Sequence, residues 1–123
     1  SLVCDHMSLL QENFIEILKW NRESGTISTG TFEGVVINNG TINNGTFNGE
    51  VQNSAQGTIS GGAFSSTSTV SNYNSGTISG GTFAAGLSDN YGSVTGGVFN
   101  GDKELTGVTG LHSITVAPGA KIT

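Results

Sequence analysis

Small hydroxyl and amide side chains recur in this chain at a spacing that suits recognition through hydrogen bonds. A first rank consists of Thr26, Thr41, Thr58, Thr77 and Ser93. A second rank lies two residues further along each time and consists of Ser28, Asn43, Ser60, Ser79 and Thr95. An uncharged array of this kind can bind ordered water or a polysaccharide, although Thr is also a favourable strand residue on an exposed face. We therefore treat the two ranks as a candidate binding face.

Two tyrosines form a second candidate site. Tyr73 directly follows Asn72, and Tyr91 directly follows Asn90. Aromatic rings on loops can stack on sugar rings, and they can equally cover the corner of a fold. We predict that both tyrosines lie on one edge, where they are candidate binding residues.

An amide ladder is the expected structural element of the repeats. Asn38, Asn53 and Asn72 occupy equivalent positions. Stacked Asn side chains can hydrogen-bond from one strand to the next, and Asn tolerates the backbone of turns. We predict a structural role for these three residues.

Groups for catalysis are sparse. Asp89, Asp102 and Glu104 could supply oxygens to a weak calcium site, but they do not form the separated carboxylate pair that glycoside hydrolysis needs. Cys4, Asp5 and His6 offer too few ligands for a closed zinc site, and His112 stands alone. No Ser–His–Asp or Cys–His set is recognisable. We predict a protein that is not an enzyme and that has no metal site and no cofactor.

Composition excludes further classes. The 123 residues carry a formal net charge of -5 and only four Lys and Arg, none of them between residues 24 and 101, which argues against catalysis and nucleic-acid binding. No apolar run approaches the roughly 20 residues of a membrane span. The single Cys excludes an internal disulfide framework. Gly, Ser, Thr and Asn make up half of the chain, a composition that favours a stacked repeat.

The elements that must position these side chains are visible as a repeat. Its units begin with Gly-(Thr/Ser)-(Ile/Val) at intervals of 15 to 19 residues, at Gly25, Gly40, Gly57, Gly76 and Gly92. A phenylalanine follows five residues after each Ile or Val, at Phe32, Phe47, Phe64, Phe83 and Phe99. A third aliphatic residue follows at Val36, Val51, Val70, Leu87 and Leu105. A degenerate sixth unit begins near Gly110 and contains Ile114, Val116 and Ile122.

This pattern predicts an all-β fold, a single-stranded β-solenoid (β-helix) of about five to six coils of 15–19 residues. Each unit has three short segments whose apolar residues alternate with polar ones, and stacking the units buries the apolar residues in one core. We expect one domain over residues 1–123, divided into an N-terminal helix cap (1–23), solenoid repeats (24–109) and a terminal coil (110–123).

The N-terminal segment has a different pattern. The apolar residues Leu9, Leu10, Phe14, Ile17 and Leu18 recur at spacings of three and four, which predicts an amphipathic α-helix at about residues 8–20. Ser8 and Gln11 fit a capping box. Because so short a helix is not stable alone, we expect it to cap the first coil.

The repeat resembles a known type of sequence. Gly-Thr-Ile-Ser-Gly-Gly-Thr-Phe at residues 76–83 is similar to repeats of large adhesin-like surface proteins of gut bacteria, and residues 114–123 resemble the segment that often follows them. The resemblance implies a β-helical stalk in an extracellular or bacterial cell-surface setting. The threonine ranks are also similar to the Thr-x-Thr faces of β-solenoid ice-binding proteins.

The sequence therefore predicts a non-catalytic stalk or binding module that presents its Thr/Ser/Asn face and its loop tyrosines to a glycan or protein partner. One alternative is an ice-binding (antifreeze) protein that uses the threonine ranks. Another is a small acidic partner or immunity-type protein that binds another protein through the helix. We expect no nucleic-acid partner and no membrane span, and we expect self-association to use the solenoid ends or the N-terminal helix.

Overall fold

In a computed structural model, the described part of the chain consists of short parallel strands separated by Gly-rich corners. The structure describes residues 2–4, 8–9, 13–14, 19–100, 104–105, 114–116 and 121–122, and it defines the side chains of residues 19–100. These residues form an all-β, parallel β-solenoid of about five turns.

The strands have two or three residues each. The first nine are β1 (Leu2–Cys4), β2 (Ser8–Leu9), β3 (Asn13–Phe14), β4 (Lys19–Asn21), β5 (Thr26–Ile27), β6 (Thr31–Phe32), β7 (Val36–Asn38), β8 (Thr41–Ile42) and β9 (Thr46–Phe47). The next nine are β10 (Val51–Asn53), β11 (Thr58–Ile59), β12 (Ala63–Phe64), β13 (Val70–Asn72), β14 (Thr77–Ile78), β15 (Thr82–Phe83), β16 (Asp89–Asn90), β17 (Ser93–Val94) and β18 (Gly97–Phe99). The last three are β19 (Glu104–Leu105), β20 (Ile114–Val116) and β21 (Lys121–Ile122).

Three parallel sheets form the faces of the solenoid, and we name them by their inward residues. The Val face has the strand order β1-β4-β7-β10-β13-β16. The Ile face has the order β17-β14-β11-β8-β5-β2, and the Phe face has the order β20-β18-β15-β12-β9-β6-β3. Strands β19 and β21 form a separate pair. Because every neighbour in a face comes from the next turn, equivalent residues of successive turns are stacked on one another.

The core consists of columns of like side chains. Ile27, Ile42, Ile59 and Ile78 are completely buried in one column, with Val94 after them. The five Phe rings form a second buried column, with successive centroids 4.5 to 5.0 Å apart and ring planes within 11° of parallel. Fully burying such a side chain contributes about 1.5–3 kcal/mol, so these columns supply most of the driving force for folding. The predicted Ile and Phe repeats are confirmed.

Glycine is required at the corners for two different reasons. Gly45 and Gly62, which lie between the Ile and Phe faces, have φ angles of +121° and +110°, where a side chain would be strained. Gly57 and Gly76, which lie between the Val and Ile faces, lack a positive φ. A Cβ at either of these two positions would collide with a backbone carbonyl of the preceding turn and with a buried Asn side chain.

The predicted N-terminal helix at about residues 8–20 is not confirmed. The described residues of this span lie in strands, and Leu9 pairs with Ile27 while Phe14 pairs with Phe32. The five-residue step from Leu9 to Phe14 is therefore the Ile-to-Phe step of the repeat, which the helical spacing concealed. Residues 10–12 and 15–18 lie outside the described residues.

The third aliphatic column and the last unit differ in detail from the prediction. Leu87 is buried, but the pairing of Ser71 with Asp89 places Leu87 one position before the column of Val36, Val51 and Val70. Leu105 pairs with Ile122 in the separate pair of strands. Val116 pairs with Phe99 and so continues the Phe face.

Candidate functional site

A ladder of asparagine side chains lines the inside of the corner between the Val and Ile faces, which we call the Asn corner. Each Nδ2 donates a 2.8 Å hydrogen bond to the Oδ1 of the next turn, through Asn21, Asn38, Asn53, Asn72 and Asn90. The first four side chains are at most 1% exposed. Asn53 Nδ2 also donates to the carbonyl oxygens of Gly57 and Thr77, and the other buried members repeat this pattern. The predicted structural amide ladder is confirmed.

The ladder is longer than the sequence reading indicated. Asn21 and Asn90 extend it by one turn at each end. The signal for them was present, because an Asn lies two or four residues before the first Gly of every Gly-(Thr/Ser)-(Ile/Val) unit. At the N-terminal end, Asn21 Oδ1 is buried and has no hydrogen-bond partner among the described residues. Position 4 pairs with Asn21 in register and holds a Cys where later turns have Asn.

The outside of the same corner carries four different residue types over five turns. The residues that directly follow the ladder asparagines are Arg22, Asn39, Ser54, Tyr73 and Tyr91. Backbone hydrogen bonds hold them one turn apart: Tyr73 N donates to Asn53 O at 2.9 Å, and Tyr91 N donates to Asn72 O at 2.7 Å. The repeated asparagines inside the corner therefore fix the positions of outer residues that follow no strict repeat.

Tyr73 and Tyr91 form one aromatic surface, as their position on an edge predicted. Their ring centroids lie 6.4 Å apart and their planes are within 13° of parallel. Tyr73 is 37% exposed and Tyr91 is 65% exposed. Together with Ala55 and Asn74 they line an open groove of about 580 Å³, which we call the tyrosine groove. No sequence signal identified Ala55 or Asn74 as neighbours of the tyrosines.

Two widened corners contribute Ala55 and Asn74 to the lining of the tyrosine groove. The corners at residues 53–57 and 72–76 are two residues longer than the corners at 38–40 and 90–92. Gln56 and Ser75 adopt φ angles of 65° and 69°, which non-Gly residues rarely do. Such residues cost about 1–3 kcal/mol and cluster at functional sites. Gln56 N donates to Ser75 O at 3.2 Å, so the two widened corners support each other.

A second aromatic surface lies further along the same corner. Trp20 is 42% exposed, and its Nε1 donates a 2.7 Å hydrogen bond to Asn39 Oδ1. The Arg22 guanidinium lies 4.8 Å from the Trp20 ring centroid, a cation–π contact. Asn39 Nδ2 donates to Ala55 O at 3.3 Å, which connects this group to the wall of the tyrosine groove. We call Trp20, Arg22 and Asn39 the tryptophan platform.

The two polar ranks lie on the Ile face, as predicted. The first-rank residues pair directly across neighbouring strands and are half-buried apart from the exposed Ser93. The second-rank residues other than Ser28 are exposed, and two of them are hydrogen-bonded to each other. Ser60 Oγ lies 2.8 Å from Asn43 Oδ1 and 3.2 Å from Ile42 O, so its one proton is engaged within the solenoid.

The remaining candidate groups do not come together in the described residues. Asp89 is exposed on β16. Glu104 and Cys4 lie in strands whose side chains are not defined, and Asp5, His6, Asp102 and His112 lie outside the described residues. Over the part of the chain that the structure describes, no three His, Cys, Asp or Glu residues could hold a metal ion. Nor does that part contain a helix long and apolar enough to cross a membrane.

Comparison of the chain with protein-family models, with curated proteins and with solved structures gives no match. The chemistry of the exposed residues is therefore the basis for a functional assignment.

Proposed function

We propose that this protein is a non-catalytic glycan-binding module in which the tyrosine groove holds sugar rings. The observation that carries the proposal is the pair of stacked, exposed tyrosine rings at the edge of a groove of about 580 Å³. Ligand sites are concave, mostly apolar and equipped with a few polar groups, and the tyrosine groove combines these features.

The chemical character of the groove favours sugars. Each tyrosine offers a flat apolar face and a hydroxyl group, which suits a ligand that has apolar C–H faces and hydroxyl edges. Asn74 adds an amide that can donate and accept hydrogen bonds. The groove is lined by no charged side chain, so a neutral sugar would not have to displace a strongly hydrated ion.

The groove is a better candidate than the Ile face because its polar groups are available. The first rank on the Ile face is half-buried, and Ser60 is engaged with neighbouring groups. The tyrosine rings project beyond the corner, and Tyr91 is the most exposed of the large hydrophobic residues in the described part of the chain.

A rigid rod with one binding edge fits the adhesin-like stalk that the repeat resembles. In this proposal the module acts outside the cell, on a bacterial surface or as part of a secreted protein, and display of the groove is its whole mechanism. Self-association through the solenoid ends would add further grooves and raise the overall affinity of the assembly.

A glycan array tests the proposal, followed by titration of the strongest glycan against wild type, Tyr91→Ala and Tyr91→Phe. We expect Tyr91→Ala to weaken binding about tenfold because a stacking face is lost, while Tyr91→Phe retains most of the affinity. The control is Thr77→Ala on the Ile face, which should bind as wild type does. Binding to no glycan, or equal affinity of wild type and Tyr91→Ala, would contradict the proposal.

Ice binding is the second candidate, and the direct register of Thr26, Thr41, Thr58 and Thr77 favours it. A regular file of hydroxyl and methyl groups can order water along one face. Measurement of thermal hysteresis tests this candidate, and a solution that freezes and grows ice like a buffer control would eliminate it.

A further inference from the structure

The Asn corner carries a single cation in the described residues, and it lies at one end of the aromatic edge. Arg22 is exposed, and the chain has no other Lys or Arg before residue 102 apart from the buried Lys19. Within residues 19–100, Arg22 contacts the Trp20 ring and forms no ion pair. Its guanidinium edge can therefore donate two parallel hydrogen bonds to an anionic group of a ligand.

The tryptophan platform holds this cation in place. Trp20 is fixed by its hydrogen bond to Asn39, and the indole face in turn supports the guanidinium. An arginine that is already ordered loses less side-chain entropy when it binds a carboxylate or sulfate. A freely moving surface arginine would offer the same charge with a larger entropic cost.

The platform and the tyrosine groove form one continuous strip. Hydrogen bonds connect Trp20 to Asn39 and Asn39 to Ala55, and Ala55 lines the groove. Arg22 and Tyr73 are three turns apart, which corresponds to about 14 Å at roughly 4.8 Å per turn. An oligosaccharide that lies along the corner can reach both ends.

The two ends of the strip also differ in the charged side chains that they carry. The outward middle position of the Val face runs from Trp20 through Ile37, Gln52 and Ser71 to Asp89. The Asp89 carboxylate thus lies at the tyrosine end, two residues before Tyr91, while the guanidinium lies at the opposite end. Asp89 repels an anionic group at the tyrosine end, and Arg22 attracts one at the tryptophan platform, where the exposed Glu23 follows Arg22 in the chain and weakens this attraction.

We infer that the ligand is a glycan with one acidic group, which Arg22 binds at the tryptophan platform while neutral sugars occupy the tyrosine groove. The inference rests on the proposed function and names its ligand class. The acidic group is a carboxylate or a sulfate, because both accept the paired hydrogen bonds of a guanidinium.

The experiment uses an array of paired glycans, each neutral glycan beside the same glycan with one terminal sialic acid or one sulfate. We expect the wild type to bind the acidic member of its best pair about threefold to tenfold more tightly, the range for an ordered but solvated charge pair. Arg22→Gln should abolish this preference, and Arg22→Lys should retain part of it. The sialylated and sulfated pairs distinguish carboxylate from sulfate recognition.

The control is Asn100→Asp, which makes the same change in net charge at an exposed position on the Phe face. It should retain the preference, because the effect is local to Arg22. If wild type does not prefer the acidic glycan, or if Arg22→Gln keeps that preference, the inference is overturned. Binding of the neutral glycan would still leave the proposed function intact. Failure of both members to bind would overturn the two together.

Discussion

The two sides of the Asn corner differ in how strictly their residues repeat. The inner side repeats one residue through five turns, and each amide donates to the next at 2.8 Å. The outer side varies along the corner, from Arg22, Asn39 and Ser54 to Tyr73 and Tyr91. The same backbone therefore carries a fixed interior and a variable exterior.

This difference separates what the fold requires from what a ligand would recognise. Inside the corner, an amide must meet an amide, because a buried polar group without a partner costs about 1–3 kcal/mol. Outside the corner, water satisfies whatever side chain is present. We conclude that the repeated residues determine stability and that the non-repeated ones are free to determine binding.

The largest expected effect comes from comparing an aromatic residue of the core with one on the outside of the Asn corner. Phe64→Ala opens a cavity in the continuous Phe column and should lower the free energy of unfolding by about 3–5 kcal/mol. Tyr91→Ala removes a ring of similar size from the exterior and should change it by less than about 0.5 kcal/mol. Chemical denaturation measures the free energy of unfolding of both variants. Similar losses in the two would contradict the distinction between the core and the outer side of the Asn corner.

A smaller effect on stability is expected when one asparagine inside the Asn corner, and one outside it, is replaced by alanine. Asn53→Ala removes a donor from Asn72 Oδ1 and an acceptor from Asn38 Nδ2, and should cost about 2–4 kcal/mol. Asn74→Ala is the matched control, since this exposed residue lies on the outer side of the corner. Thermal unfolding should show a large decrease in Tm for the first variant alone. A marginal effect of Asn53→Ala would show that the ladder does not stabilise the fold.

The smallest effect is a gain in stability at the end of the ladder. Asn21 Oδ1 is buried and has no partner within the part of the chain that the structure describes, and position 4 pairs with Asn21. Cys4→Asn would provide an amide donor there and should raise the free energy of unfolding by about 0.5–1.5 kcal/mol. Cys4→Ser at the same position controls for loss of the thiol. A Tm for Cys4→Asn no higher than that of Cys4→Ser would show that the ladder ends at Asn21.

Much of the interior could be predicted from the sequence. The fixed five-residue step from Ile42 to Phe47 and from Ile59 to Phe64 requires columns, since like residues must stack when the units are in register. The N-terminal turn was misread because Leu10, Phe14 and Leu18 follow one another in four-residue steps, a helical spacing, and because the Gly that begins later units is missing before Ser8. Parallel pairing with β5 and β6 is what distinguishes the repeat from a helix.

The exterior was predictable only in part. Tyr73 and Tyr91 could be placed on an edge because each follows a ladder asparagine, but their stacking depends on corner geometry. The widened corners at Gln56 and Ser75 adopt rare φ angles that no sequence signal indicates. The tryptophan platform was missed because Trp20 was assigned to the helix at about residues 8–20 and Arg22 to the same N-terminal cap, residues 1–23. Its contacts with Asn39 arise from the parallel pairing of β4 with β7.

Mapping of a bound glycan by backbone amide NMR tests the central claim most directly. Titration with the strongest glycan from the array should shift the amide resonances of the outer Asn corner, at residues 20–22, 39, 54–56, 73–75 and 91. The resonances of the Ile face, from Thr26 to Thr95, should remain in place. Shifts confined to the Ile face, with the outer Asn corner unchanged, would contradict the account.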